Sequence, residues 1–280
     1  MKINFSLPGI SPLFFFLFIL PFGCTYPNKT DEAIERETAL KNKIKSVTEF
    51  TTVFRLGGVQ LKEYASRKIT YNKNGFKLSV VVFFADGAIE HTISHEYDSK
   101  GNLQSVKAAK PDGGMAFSDE RIYDGDNNRL NYFFYNPDGT VLYEKPAVFD
   151  KKGRMATSRI IHDGILKGIY KYKYDGMKMT ENAEYDSKGN LQYTWIYKYD
   201  SEGNRTEAIQ YSPENNITMK TCSEYNIVNM VIKETYYFEE AIQNIFTYEY
   251  NDKNLLSVKN QYTSSGRISM QYRYQYEFFK

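Results

Sequence analysis

The 280-residue chain has little of several features that would indicate a function directly. Two cysteines cannot form a disulfide framework, and three histidines leave little for a His-rich metal site. With 36 basic and 34 acidic residues, the formal charge of +2 argues against a protein that binds nucleic acid by neutralising phosphates. The motifs of nucleotide-binding loops, serine hydrolases and zinc proteases are absent from the sequence. We therefore expect no cofactor, no metal and no nucleic-acid partner, and a non-enzymatic protein.

The one strongly apolar segment lies near the N-terminus, over residues 13–22, and is followed by Gly23 and Cys24. As a helix it spans about 15 Å, half of a ~30 Å bilayer core, which is typical of a signal peptide. A small residue before a cysteine resembles the lipobox of bacterial lipoproteins, although Pro21 and Phe22 replace that motif's usual leucine and small residue. The resemblance implies a signal peptide over residues 1–23 and diacylglyceryl and palmitate chains on Cys24. The alternative is ordinary secretion with Cys24 as a free thiol.

The lipid anchor makes a direct prediction for Cys24→Ala. Acyl chains would hold a water-soluble domain on a membrane, so their loss is expected to move the protein into the soluble fraction. Cell fractionation with immunoblotting measures this, and continued membrane association of the variant would contradict lipidation.

Residues 24–46 are predicted to form a polar tether and one short helix, because Ile34, Leu40 and Ile44 have near-helical spacing. Residues 47–280 repeat a pattern of about 13 residues. The eight residues 97–104, YDSKGNLQ, recur unchanged at 185–192, and a related segment occupies 199–204.

The repeated segment has the chemistry of a β-turn. Its aspartate can accept hydrogen bonds from the following backbone N–H groups, and its glycine suits the left-handed position that closes a bulged hairpin. The turn residues predicted in this way are Asp98 and Gly101, Asp186 and Gly189, and Asp200 and Gly203.

Between the turns, aromatic side chains alternate with polar ones, as in Tyr193, Trp195, Tyr197 and Tyr199. This period of two predicts an all-β fold: an antiparallel meander of strand–turn repeats with one short N-terminal helix, in a curled or superhelical sheet. The Y-D-x-x-G-N-L signature resembles the YD repeat of RHS-type bacterial cell-surface proteins. That resemblance implies β-hairpins wound into a sheet and a location in the cell envelope. With the lipid anchor, we expect an outer membrane lipoprotein, on the surface or the periplasmic side.

Most of these tyrosines are expected to form the core, and Trp195, with Tyr193 and Tyr197 beside it, is the candidate ligand contact. We expect a lipid-anchored binding or adhesion scaffold for a protein or glycan partner. One alternative is an accessory or immunity-type partner of a secreted toxin. The other is an envelope hydrolase that uses carboxylates on a concave face.

Overall fold

The computed structural model describes residues 31–126 and 128–280; the predicted signal peptide and Cys24 lie outside these residues. The described part contains one helix, α1 (Asp31–Lys41), and nineteen strands. The strands are β1 (Ile44–Val53), β2 (Tyr64–Tyr71), β3 (Lys77–Phe83), β4 (Ile89–Tyr97), β5 (Leu103–Ala109), β6 (Met115–Tyr123), β7 (Arg129–Tyr135), β8 (Val141–Glu144), β9 (Ala147–Phe149), β10 (Met155–His162), β11 (Ile165–Asp175), β12 (Lys178–Asp186), β13 (Leu191–Tyr199), β14 (Arg205–Tyr211), β15 (Ile217–Tyr225), β16 (Val231–Phe238), β17 (Ala241–Tyr250), β18 (Leu256–Thr263) and β19 (Ile268–Phe278). The predicted all-β antiparallel meander with one short N-terminal helix is confirmed.

The sheet closes into a barrel, so the prediction of a curled or superhelical sheet is wrong. Strand β1 pairs antiparallel with β2 on one side and with β19 on the other, where Val47 lies opposite Tyr276. Strands β8 and β9 pair with β10 in the same register, so together they count as one strand of the barrel wall. The nineteen strands therefore form a wall of eighteen strand positions. The resemblance to YD-repeat proteins is therefore also wrong. The motif encodes a hairpin turn, and a hairpin turn does not determine whether the first and last strands of the sheet meet.

The structural repeat is a hairpin of about 26 residues, twice the period in the sequence. The turns that begin at residues 72, 98, 124 and 150 start 26 residues apart and lie at one end of the barrel. We call this the helix end, because α1 lies there, and the opposite end the far end. Each strand of an antiparallel meander reverses the direction of the chain, so consecutive copies of the motif lie at opposite ends of the barrel. The two identical octapeptides accordingly lie at opposite ends.

Paired residues on neighbouring strands share a face, so the register defines an inner and an outer surface around the barrel. The inner face carries clusters of buried apolar side chains, among them Val80, Ile93 and Ala108 on β3 to β5, and Phe246 and Tyr248 on β17. These side chains form local clusters along the wall.

The outer face carries cross-strand ion pairs. Glu207 lies between Lys198 at 2.6 Å and Lys220 at 3.0 Å, and Glu224 pairs with Lys233 at 2.7 Å. Charged pairs of this kind belong to a solvated sheet face.

Candidate functional site: the inner wall of the barrel

Tyrosines line the inner wall and tie its hairpins together at the helix end. The Tyr123 hydroxyl, at the end of β6, donates a hydrogen bond to the carbonyl oxygen of Leu103, the first residue of β5, at 2.8 Å. Five further tyrosines repeat this bond at 2.7–2.9 Å, each to a carbonyl 19 or 20 residues earlier: Tyr174, Tyr199, Tyr225, Tyr250 and Tyr276. These bonds link tyrosine hydroxyls to carbonyls at the start of neighbouring strands, beside the turns of the helix end.

Charged side chains lie among these tyrosines. Glu49 accepts two hydrogen bonds from Arg67, at 3.0 and 2.7 Å, and a third from the Ser66 hydroxyl at 2.8 Å. The carboxylate side chain is 7% exposed and the guanidinium 30%. A buried, bidentate pair of this kind fixes the register of β1 against β2.

A second carboxylate, Glu234, is buried on β16 and accepts hydrogen bonds from the hydroxyls of Tyr236 and Tyr248. The Lys259 ammonium lies over the Tyr248 ring at 5.7 Å, and burial lowers its pKa while Glu234 and Glu49 oppose that shift. The two carboxylates and the lysine thus form a charged band on the inner wall between β16 and β1.

Helix α1 supplies acidic groups to the inner wall at the helix end. Glu35 is buried, pairs with the Lys77 ammonium at 2.7 Å and accepts from the Tyr71 hydroxyl at 2.6 Å. One turn earlier, Glu32 pairs with Arg121 on β6 at 3.0 Å. Burial and the Glu35 carboxylate raise the pKa of Tyr71 well above its usual value. The helix is therefore joined to β3 and β6 by ion pairs.

The three predicted ligand contacts lie on the inner face of β13. Register places Trp195 opposite Asn182 and Gln210, and the same row continues through Met219 to Phe238. The Trp195 and Tyr197 rings stack at 6.5 Å with 7° between their planes.

Solvent reaches this row near the far end. Tyr193 is 40% exposed, Met219 42% and Phe238 49%, although all three belong to the inner face. The structure therefore places the three candidate residues on the same face as a methionine and a phenylalanine that the sequence analysis did not select. These five side chains form the aromatic patch.

The turn residues Asp98 and Gly101 lie at the helix end. The Asp98 carboxylate accepts from the backbone N–H groups of Lys100 and Asn102, both at 2.9 Å. The hydrogen bond from the Asn102 side-chain amide, together with these backbone bonds, lowers the pKa of Asp98. Gly101 has a φ of 86°.

The same bonds form at 186–190 and 200–204, so all three motif turns share one geometry. Asp186 accepts from Asn190 at 2.9 Å and Asp200 from Asn204 at 2.8 Å. Gly189 and Gly203 have φ of 87° and 93°.

Other chemistry-bearing residues remain apart. His91 and His95 both face inward from β4, and burial, with Lys77 and Arg121 nearby, lowers the pKa of His95 to about 3. Cys222 is a half-buried free thiol on β15. Within residues 31–126 and 128–280, no group of three or more His, Cys, Asp or Glu side chains could hold a metal ion.

The inner charges were missed by the sequence analysis, but a signal for them exists. Glu234 occurs in phase with Tyr236 of its own strand, at a position where an apolar or aromatic residue is expected. A charge at an inward position of an amphipathic strand indicates a buried pair or a site.

Comparison with known proteins assigns no family, since no known family and no curated sequence matches the chain. Among solved structures, a porin-like protein from Bacteroides uniformis is similar with 9% identity and a TM-score of 0.45, over 84% of this chain and 97% of that one. A putative outer membrane lipoprotein-sorting protein domain from Vibrio parahaemolyticus has 7% identity and a TM-score of 0.28, over 88% and 91%. TcdB2-TccC3 has 11% identity and a TM-score of 0.21, over 78% of this chain and 18% of that one. At these TM-scores the similarity places the chain in none of these groups.

No helix in the described residues is long and apolar enough to span a membrane.

Proposed function

We propose that the protein is a lipid-anchored scaffold of a bacterial cell envelope that binds a glycan inside its barrel, on the aromatic patch. The observation that carries this proposal is the exposure of inward-facing Tyr193, Met219 and Phe238 on a wall where most aromatic side chains are buried or bonded. Solvent-exposed aromatic rings beside a stacked tryptophan form a surface on which sugar rings can pack.

The position of the patch favours a slender ligand. An inner wall admits a glycan chain more readily than the face of a folded protein, and the neutral amide of Gln210 lies in the same row as a hydrogen-bonding group. The lipid anchor rests on the sequence pattern at Cys24 and would leave the charged outer face in water.

The single tryptophan makes the proposal testable without a label. We expect oligosaccharides of two to six units, drawn from chitin, maltose and peptidoglycan series, to include one that shifts and quenches Trp195 fluorescence. In Trp195→Ala the affinity for that sugar, measured by calorimetry, is expected to fall by about tenfold or more, as for an aromatic anchor in a binding site.

Tyr185→Ala is the matched control. Tyr185 is also aromatic and near the far end, but it faces outward, where the Lys171 ammonium lies 4.5 Å from its ring centroid. Its affinity is expected to match the wild type. Equal losses in the two variants, or no response of Trp195 to any of the series, would contradict a glycan site on the aromatic patch.

A further inference from the structure

The pairing of the described strands is interrupted between β7 and β9. Strands β8 and β9 keep one register against β10, in which Glu144 lies opposite Ile161 and Ala147 opposite Ser158. Pro146, which separates β8 from β9, has no N–H and removes one bond of that ladder.

On the other side, the pairing with β7 ends at the same place. The last backbone bond runs from the Lys145 N–H to the Tyr132 carbonyl at 2.8 Å. The Tyr132 N–H, which would complete the pair, instead donates to the side-chain oxygen of Asn131 at 2.8 Å. Beyond this point no register joins β7 to β9, and we call this stretch the β7–β9 gap.

Two cations lie on the inner face beside the β7–β9 gap. The register of β10 places Lys145 opposite Ile160, on the face of Ser158, and its ammonium is 4.9 Å from the Tyr170 ring centroid. The Arg129 guanidinium is 5.6 Å from the ring centroid of Tyr132. In the part of the chain that the structure describes, neither cation has a carboxylate within the 4.0 Å of an ion pair.

The neighbouring carboxylates are already engaged. Glu184 is hydrogen-bonded to Tyr170, and Asp119 accepts from Arg121 at 3.2 Å. Burial and the nearby Arg129 lower the pKa of Lys145, with Glu184 opposing the shift. Two half-buried like charges without a direct counter-ion cost free energy that a bound anion would offset.

Hydroxyl groups complete the surroundings. The Ser158 and Tyr172 hydroxyls are 2.9 Å apart, and the hydroxyls of Tyr132 and Tyr143 are hydrogen-bonded to each other. Hydroxyl donors around two cations suit the oxygens of a phosphate or carboxylate, which accept several bonds at once.

We propose that Lys145 and Arg129 bind the anionic group, a phosphate or carboxylate, of a ligand that enters the barrel beside the β7–β9 gap. The site lies on different strands from the aromatic patch and does not depend on it: failure of the Trp195 test leaves it standing. If both sites are occupied by one molecule, that molecule is a glycan bearing an acidic substituent.

Inorganic phosphate is the first probe. We expect phosphate to raise the melting temperature of the wild type, because a ligand that binds only the folded state stabilises it. In Lys145→Gln the affinity for phosphate, measured by calorimetry, is expected to fall by about tenfold, the loss of a charge-assisted bond. NMR of 13C-labelled lysine is expected to show the Lys145 resonance shifting as phosphate is added.

Lys171→Gln is the matched control, since this lysine lies nearby on β11 but faces outward over an aromatic ring. Its phosphate response is expected to equal that of the wild type. If phosphate leaves the Lys145 resonance unchanged, or binds Lys145→Gln as tightly as Lys171→Gln, the proposal is wrong. Glucose 6-phosphate and dihexanoyl phosphatidic acid then separate the two sources of the anion: tighter binding of the first indicates a sugar phosphate, and of the second a lipid headgroup.

Discussion

Gly75→Ala is expected to destabilise the protein strongly and to displace α1 from the helix end. Gly75 has a φ of 78°, and a Cβ built there would lie 2.4 Å from the Arg36 carbonyl oxygen and 2.9 Å from the Leu40 backbone nitrogen. Backbone atoms cannot rotate away, so the turn or the helix must move. We expect a loss of about 3 kcal/mol or more in the free energy of unfolding, the sum of strain at positive φ and lost packing of α1.

Gly189→Ala isolates the first of these two terms. Its φ is 87°, but a Cβ at this position meets nothing within 4 Å. The cost should therefore be that of a left-handed alanine alone, about 1 kcal/mol. Urea unfolding of both variants gives the difference, and far-UV circular dichroism shows whether helix is lost. Equal costs at the two positions would show that α1 does not press on this turn.

The turns and strands were predictable because their signals are local. Asp98 and Gly101 specify a bulged turn through bonds that span four residues, and the tyrosines on β13 show the period of a half-buried strand. The 26-residue hairpin could also be derived, because each strand of an antiparallel meander reverses the chain and two 13-residue units therefore make one hairpin.

Closure of the sheet could not be predicted in the same way. It depends on Ser46 to Val53 of β1 meeting Met270 to Glu277 of β19, more than two hundred residues away. No motif at either end of the chain records that pairing. The inner and outer faces follow from closure, and so the sequence could not say that the tyrosines enclose a space or that α1 lies at one end of it.

The two candidate sites also differ in whether the sequence alone could reveal them. Trp195 was recognisable because it is unique and lies in the clearest repeat. Lys145 was not, because its inward position follows from the register of two strands interrupted by Pro146, and its lack of a counter-ion follows from bonds that Glu184 and Asp119 make elsewhere. A proline within a strand segment is the one local sign of that irregularity.

Glu49→Leu is expected to have the second large effect on stability, because it leaves the Arg67 guanidinium without its carboxylate partner. The substitution removes both hydrogen bonds to Arg67 and leaves the guanidinium on the inner wall without its carboxylate. Breaking a buried pair from one side costs about 3–5 kcal/mol, whereas replacing both partners with apolar residues is often close to neutral. We therefore expect a large loss of stability in Glu49→Leu and a substantial recovery in the double variant with Arg67→Met, both measured by urea unfolding.

The outer face supplies the matched comparison for this inner pair. Glu224 and Lys233 are also on neighbouring strands, at 2.7 Å, but their side chains are 57% and 40% exposed. Water screens such a pair, so Glu224→Ala is expected to cost less than about 1 kcal/mol. The contrast tests the assignment of the two faces: if Glu49 faces a water-filled space as open as the outer surface, the two substitutions will cost about the same, and the double variant will recover nothing.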